Sequence, residues 1–484
     1  MNGPAQTASG GGLSVIVIGA SGDLARRKIL PALFSLYCQK LLPEPFAVYG
    51  FARTRMTDQA FRELAAQNLT CRYAPGEACA DRMNEFLGRC HYVAGRYDDD
   101  GAFLDLFDRM RTTGAYPGNA LFYLAVPPSV FVDVARAIGA AGLVRCTPES
   151  PWSRAVIEKP FGRDRASSDR LTAELATVFT EDQTYRIDHY LGKEIIQNLM
   201  VLRFANLVFE PIWNRRHIER VWIDWREDLS LEGRAGYFDG YGIIRDVMQN
   251  HLIQILALVA MERPAHASAR DVRDEKVRVL RCVPPVGLDR LVVGQYVGAE
   301  RPGGARKGYR EEPGVPAGSR TSTFAAASLR IENERWRGVP FIIRAGKGLN
   351  ARENEVRIQF RDVPGNIFGQ GGRGLPPNEL VIRIQPDEGI YLGVVNKVPG
   401  LDMTLERSDL NLRYQSAFKR LIPDAYECLL LDVIEGDKSL FIRADELEAA
   451  WDIFTPALAQ IERDGVEPEP YPFGSTGPEI DRIL

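Results

Sequence analysis

Between residues 13 and 179, short apolar runs alternate with longer stretches in which apolar positions recur every three or four residues. The runs at 13–18, 46–52, 91–94, 121–126 and 154–157 predict strands, and the stretches at 24–41, 58–68, 130–141 and 165–179 predict helices. Strand and helix in alternation specify a parallel sheet with crossover helices, so residues 13–195 read as a Rossmann-like, doubly wound α/β domain. Beyond residue 206 the pattern changes to strands in succession, at 221–225, 277–282, 291–296, 324–331, 356–360, 379–384 and 391–395, with few helices between them. That succession predicts a large, mainly antiparallel sheet with helices, an α+β domain over 196–484. Residues 299–320, rich in Gly, Pro and charge, read as an exposed loop of the second domain, and residues 1–12 as a disordered tail.

Composition narrows the function classes. The chain of 484 residues is 45% hydrophobic and 26% charged, long enough for more than one core. A formal charge of -4 argues against a nucleic-acid partner, because phosphate-backbone recognition wants a net basic face. The tail has no basic leader and the apolar run after it is too short to span a membrane, so no membrane association and a cytoplasmic location are expected. Seven cysteines with no CxxC spacing suggest free thiols in a reducing compartment, and neither a disulfide framework nor a metal site is expected.

The most chemically dense stretch is Arg186-Ile187-Asp188-His189-Tyr190-Leu191-Gly192-Lys193-Glu194, at the seam between the two domains. Read as a helix, it places His189 and Lys193 on one face and turns Asp188 away from its neighbour by about 100°. One face then suits a phosphate dianion while the carboxylate serves another group.

Residues 13–18 run into Gly19-Ala20-Ser21-Gly22-Asp23-Leu24, a strand, a glycine turn and a helix start. Such a turn lets backbone N–H groups approach a pyrophosphate. The spacing GxxGDL is a weak signal alone, since many strand-turn-helix connections share it. Arg53 at the end of the second strand strengthens it: a carboxylate there would favour NAD, whereas a guanidinium suits the extra 2'-phosphate of NADP. Thr54 beside it still tolerates NAD.

Residues 243–256 are apolar on nearly every face, so a helix there is largely buried. Alone, His251 reads as a core histidine. Asp246, Gln249 and Asn250 in the same span favour a lined cavity, because buried polar groups need partners. Lys159 and Lys347 each end a predicted strand, which signifies little until something places them at one site.

GASGDLARRK at 19–28, VIEKPFGRD at 156–164, DQTYRIDHYLGKEIIQNLMVLRFAN at 182–206, GYGIIRDVMQNHLIQ at 240–254 and RWRGVPFIIRAGKGLN at 335–350 together resemble glucose-6-phosphate dehydrogenase. The resemblance implies oxidation of glucose 6-phosphate at C1 to the lactone, with hydride passing to NADP. It also implies His251 as general base and Asp188 as its orienting acid. His189, Tyr190 and Lys193 would bind the phosphate, Glu227 and Asp246 the sugar hydroxyls, and Lys347 and Arg352 the substrate from the second domain. By the same likeness Lys159 touches both substrate and cofactor, Lys28 lies near their junction, and Pro160 matches a proline that is often cis. A homodimer or homotetramer through the large sheet is implied as well. Animal members of the family use lysines to hold a second, structural NADP, whereas Glu353 and Gly393 stand at the matching positions, so that site is not expected here. Phe131 replaces a tyrosine that those enzymes place near the cofactor. Two other readings compete: an oxidoreductase of the same layout acting on unphosphorylated sugar, and an NADP-binding regulator without catalysis.

Overall fold

The computed structural model describes residues 12–73, 76, 78–113, 117–145, 151–231, 233, 235–301, 304–368, 375–418 and 420–484. The expected tail, apart from Gly12, and Cys146 lie outside these residues. Strand β1 (Leu13–Ile18) is buried at every position, as a run without alternation requires. Leu13, Val15 and Val17 enter one hydrophobic cluster and Ile16 and Ile18 another, so the strand is covered on both faces. It pairs in parallel with β2 (Phe46–Ala52) on one side and β4 (Asn119–Leu124) on the other. β3 (Cys90–Ala94) extends the sheet beyond β2, and β5 (Ser153–Ile157) and β6 (Thr184–Ile187) extend it beyond β4, all in parallel. The chain thus reverses its order between β1 and β4, the kind of switch point beside which open α/β sheets bind ligands at the strands' carboxyl ends.

The second sheet is built from β7 (Ile218–Arg226), β8 (Leu291–Val297), β9 (Phe324–Leu329), β10 (Phe341–Gly346), β11 (Glu353–Phe360), β12 (Glu379–Gln385), β13 (Gly389–Lys397) and β14 (Leu405–Arg413). β15 (Phe441–Ile442) and β16 (Glu469–Pro472) follow. The spatial order is β14-β13-β12-β11-β7-β10-β9-β8-β16. Pairing is antiparallel except for β7 with β10 and β8 with β16. β15 instead returns to the first sheet, antiparallel to β6, and the helix Ala425–Glu435 packs on the helix Leu30–Cys38 beside it. Two segments of the expected 196–484 domain therefore lie on the nucleotide side. One cluster runs without a break from Ile16 and Phe51 to Trp225 and Phe341, so both sheets share a core.

Several expectations are corrected. Residues 277–282 are not a strand but the end of the helix Ala269–Leu280. Val272, Lys276, Val279 and Leu280 form its buried stripe, and the lysine within that stripe, paired with Glu446 at 2.7 Å, hides the helical period from a hydropathy reading. The segment 186–194 is not a helix: β6 ends at Ile187, a turn follows, and the helix Glu194–Phe204 begins one residue after Lys193. Cys71 and Cys79 form a disulfide with a Cα separation of 5.8 Å, against the expectation of free thiols throughout, while Cys38, Cys90, Cys282 and Cys428 are free. No described helix is long and apolar enough to cross a membrane.

Candidate active site

The turn after β6 brings its side chains into a buried cluster with a helical segment far along the chain. Asp188 accepts the Tyr190 backbone N–H at 2.9 Å, which fixes the turn, and its Oδ1 lies 2.5 Å from His251 Nδ1. Both residues are 2% exposed. His251 lies in the π-helical stretch Ile244–Leu252. The carbonyls of Arg245 and Asp246 receive the Asn250 amide at 3.0 and 3.1 Å, and the Asp246 carbonyl also receives Lys159 Nζ at 2.7 Å. The Asn250 oxygen accepts the His251 backbone N–H at 2.6 Å. The polar residues around His251 thus hold the wide helical turn in shape, and His251 is no mere core filler.

Electrostatics separates the members of the pair. Burial pushes the Asp188 carboxyl up, but His251, His189 and the Tyr190 backbone N–H together hold the group down at about 2. Burial pushes the His251 imidazole below its ordinary value, against the pull of Asp188 and assisted by the charge of Lys159. The pair therefore rests as carboxylate and neutral imidazole, with Nδ1–H donated to Asp188. Lys159, followed by a cis Pro160, also reaches Asp246 Oδ1 at 3.3 Å and His251 Nε2 at 2.9 Å. Burial raises the Asp246 carboxyl, yet Lys159 and Lys347 bring it down to about 2.

The parallel pairing of β7 with β10 sets their ends side by side, so Lys347 donates to Glu227 at 2.9 Å and lies 4.8 Å from the Trp225 ring centroid. Lys193 donates to Gln385 at 3.1 Å and feels the charges of Lys28 and Arg352, and burial lowers its pKa. Burial also drives His189 well below its usual value, with His251 next in effect, so His189 offers a neutral hydrogen-bonding ring instead of a cation. The Tyr190 oxygen accepts from Trp225 Nε1 at 2.5 Å and from Asn354 Nδ2 at 2.7 Å, and the Arg226 backbone N–H on Asn354 Oδ1 fixes that amide's orientation. With both lone pairs engaged, the Tyr190 O–H is left as a donor.

At the nucleotide end, Gly19 has φ +90, and a Cβ there would lie 2.3 Å from the Ala125 carbonyl oxygen, so the turn admits only glycine. Gly22 N–H closes the turn on the Gly19 carbonyl at 2.9 Å, and the helix opens with Asp23, which pairs with Arg26, and Leu24. Ser21 and Thr54 meet at 3.4 Å, and the exposed Arg53 lies over the Tyr97 ring at 5.4 Å. The open glycine turn, buried Ala20 behind it and a free-standing guanidinium at the edge fit a dinucleotide with an anionic ribose substituent. Asp188, His189 and His251 also bring ligand-type atoms within 4.8 Å of one another, a grouping of the kind that holds metals.

The structure brings Asp188, His251, Lys159 and Asp246 into one cluster and pairs Lys347 with Glu227, while the glycine turn, Arg53 and Thr54 stand together at the nucleotide end; Arg352 is exposed and acts on Lys193 through its charge. Residues that the sequence reading missed join these groups. Gln385 holds Lys193, Asp424 takes Lys28 at 2.9 Å, and Tyr426 lies parallel to the His189 ring while donating to Glu158 at 3.3 Å. None carries a local motif; only their spatial convergence marks them.

Comparison with known proteins identifies the family. Residues 16–198 match the family model of the glucose-6-phosphate dehydrogenase NAD binding domain, and residues 200–484 match that of the C-terminal domain. The chain is 53% identical to glucose-6-phosphate 1-dehydrogenase 1, chloroplastic, of Arabidopsis thaliana over 470 residues, which are 96% of this chain and 81% of that one. It is likewise 53% identical to the chloroplastic enzyme of Spinacia oleracea, with the same coverage. A solved glucose-6-phosphate dehydrogenase in complex with its substrate glucose 6-phosphate superposes with a TM-score of 0.90 at 41% identity, covering 98% of this chain and 97% of that one. The chloroplastic relatives overturn the cytoplasmic location expected from the sequence.

Proposed function

The chain belongs to the glucose-6-phosphate dehydrogenase family, and on that premise we propose that it oxidises glucose 6-phosphate at C1 to the 6-phosphoglucono-lactone, using NADP. The observation that carries this reading is the buried contact of His251 Nδ1 with Asp188 at 2.5 Å, set among lysines that arrive from both sheets. With Nδ1–H committed to Asp188, Nε2 keeps a lone pair for the proton of the C1 hydroxyl. Asp188 stays ionised and stabilises the imidazolium that forms as this proton arrives. Bound NADP supplies the acceptor for the hydride that leaves C1.

Lys193, the His189 ring and the Tyr190 O–H converge on the phosphate, with Lys28 and Arg352 adding charge around it. Glu227 and Asp246 accept the sugar hydroxyls, while Lys347 orients Glu227 and Lys159 spans the substrate and the nicotinamide. Gly19 to Leu24 receive the pyrophosphate, and Arg53 with Thr54 the 2'-phosphate. Arg53, which meets Tyr97 and has no acidic partner among the described residues, supports NADP over NAD. The reading assigns no metal to this cluster: His251 Nδ1 is bonded to Asp188 Oδ1 and Nε2 to Lys159.

A second structural NADP site is not part of this reading. Glu353 is engaged by Arg226 and Arg383, and a side chain at Gly393 would run into the Arg407 guanidinium at 2.6 Å. The edge strand β14 and the segment before it leave Leu401, Met403, Leu410 and Leu412 exposed, which supports a homo-oligomer through the larger sheet, and light scattering would measure its size. The plant relatives support a plastid location.

The test is NADPH formation with purified protein. Glucose 6-phosphate should be turned over with a kcat/KM at least about 10²-fold above that of free glucose, as expected for charge-assisted phosphate contacts. Equal values would refute the substrate assignment.

A further inference from the structure

His251 Nε2 has one lone pair, and it is already taken. Lys159 Nζ lies 2.9 Å from it, and the same ammonium is tied to the Asp246 carbonyl at 2.7 Å and faces Asp246 Oδ1 at 3.3 Å. Since Nδ1–H is donated to Asp188, Nε2 can only accept, and Lys159 can only donate. The proton that the base must receive arrives at this same atom. We propose that Lys159 locks the lone pair of His251, and that the C1 hydroxyl of the sugar must displace Lys159 from Nε2 before the base can act. This inference rests on the assignment of His251 as base.

The geometry gives the lock two consequences. An ammonium against Nε2 disfavours a proton there, so the imidazole is kept unprotonated and ready. A hydroxyl that takes over the lone pair leaves Lys159 with its two contacts on Asp246, so the ammonium stays beside the reacting atoms. The groups facing His251 are the Asp188 carboxylate and the His189 and Tyr190 rings from the turn after β6, at 4.8 and 4.5 Å between ring centroids. Lys159 faces it from the end of β5 and Asp246 from its own helix. Among these, the two carboxylates favour the imidazolium and Lys159 opposes it.

The pH dependence of kcat/KM separates a lock from a simple binding contact. In the wild type, kcat/KM rises with pH as His251 loses its proton. In Lys159→Met the midpoint of this rise should move up by about one pH unit, the low end for loss of a charge this close, and in Lys159→Arg it should stay near the wild-type value. A midpoint unmoved in Lys159→Met, with kcat/KM lowered equally at all pH values, would overturn the lock and leave Lys159 as a binding residue only. Crystals of the wild-type protein with glucose 6-phosphate alone give a readout free of variants. The sugar O1 should sit within hydrogen-bond distance of Nε2 with Lys159 Nζ beyond it, and Lys159 still bonded to Nε2 would overturn the proposal. Failure of the base assignment itself shows differently, as near-normal turnover in His251→Asn.

Discussion

The two ends of the seam are built in opposite ways. At the C1 end, Asp188 and His251 are buried, Lys159 and Asp246 half-buried, and the four are bonded to one another. At the nucleotide end, Arg53 and Thr54 stand exposed, and Arg53 leans on a tyrosine ring with no carboxylate partner among the described residues. A preorganised cluster in a low-dielectric interior stabilises charge as it develops in the reaction, whereas an exposed guanidinium contributes a screened contact that is made on binding. Changes at the first end should therefore appear mainly in kcat and by orders of magnitude; changes at the second should appear in cofactor affinity and be modest.

The largest effect expected after loss of the base itself is at Asp188. Asp188→Asn frees the imidazole to adopt the wrong tautomer, and kcat should fall by at least about 10²-fold with little change in glucose 6-phosphate affinity, measured by steady-state kinetics and calorimetry. A fall in affinity alone would place Asp188 with the binding groups and blur the contrast. Next comes Lys193→Met, which should raise the KM for glucose 6-phosphate by about 10- to 10²-fold, the scale of a lost charge-assisted hydrogen bond. Turnover of free glucose should not respond.

Arg53→Ala should weaken NADP by about 1 to 3 kcal/mol and leave NAD nearly unchanged, with kcat preserved. Equal losses for both cofactors would show that Arg53 does not read the 2'-phosphate. For the pH profile, the sign follows from burial. The His251 imidazole lies below its usual value of about 6.5, so kcat/KM should hold its plateau at neutral pH and fall only as pH drops through the lowered value. A plateau reached only well above neutrality would contradict that direction. The smallest expected effect is none at all: chelation of divalent metals should leave turnover unchanged.

The same contrast explains what the sequence made legible. The nucleotide end is local: strand, glycine turn, helix and the arginine on the next strand follow one another within residues 13–55, and the pattern is readable because a parallel sheet forces buried runs and a tight turn. The larger sheet was legible from a different signal, a succession of short apolar runs with few helices between them, whereas the strand order of either sheet was not. β14 was not, since it is exposed on both faces and has no alternation to detect, and β16 carries prolines at two of its four positions.

The C1 end depends on convergence. Motif resemblance supplied Asp188 and His251, but periodicity misread the segment 186–194 as helical, because its charged residues happen to fall at helical spacing while the chain is in fact ending a strand. Gln385, Asp424 and Tyr426 left no signal, as each acts only through a partner between 192 and 396 residues away along the chain, or across a stacked ring. The disulfide between Cys71 and Cys79 likewise follows from the approach of two backbone segments and not from a recognisable spacing.

The most direct test of the account is the turnover number of His251→Asn at saturating glucose 6-phosphate and NADP, with substrate binding checked in parallel. Retained binding with kcat reduced by at least about 10²-fold is the predicted result. Near-normal turnover would contradict the role of His251, and with it the reading of the Asp188 contact as the catalytic centre.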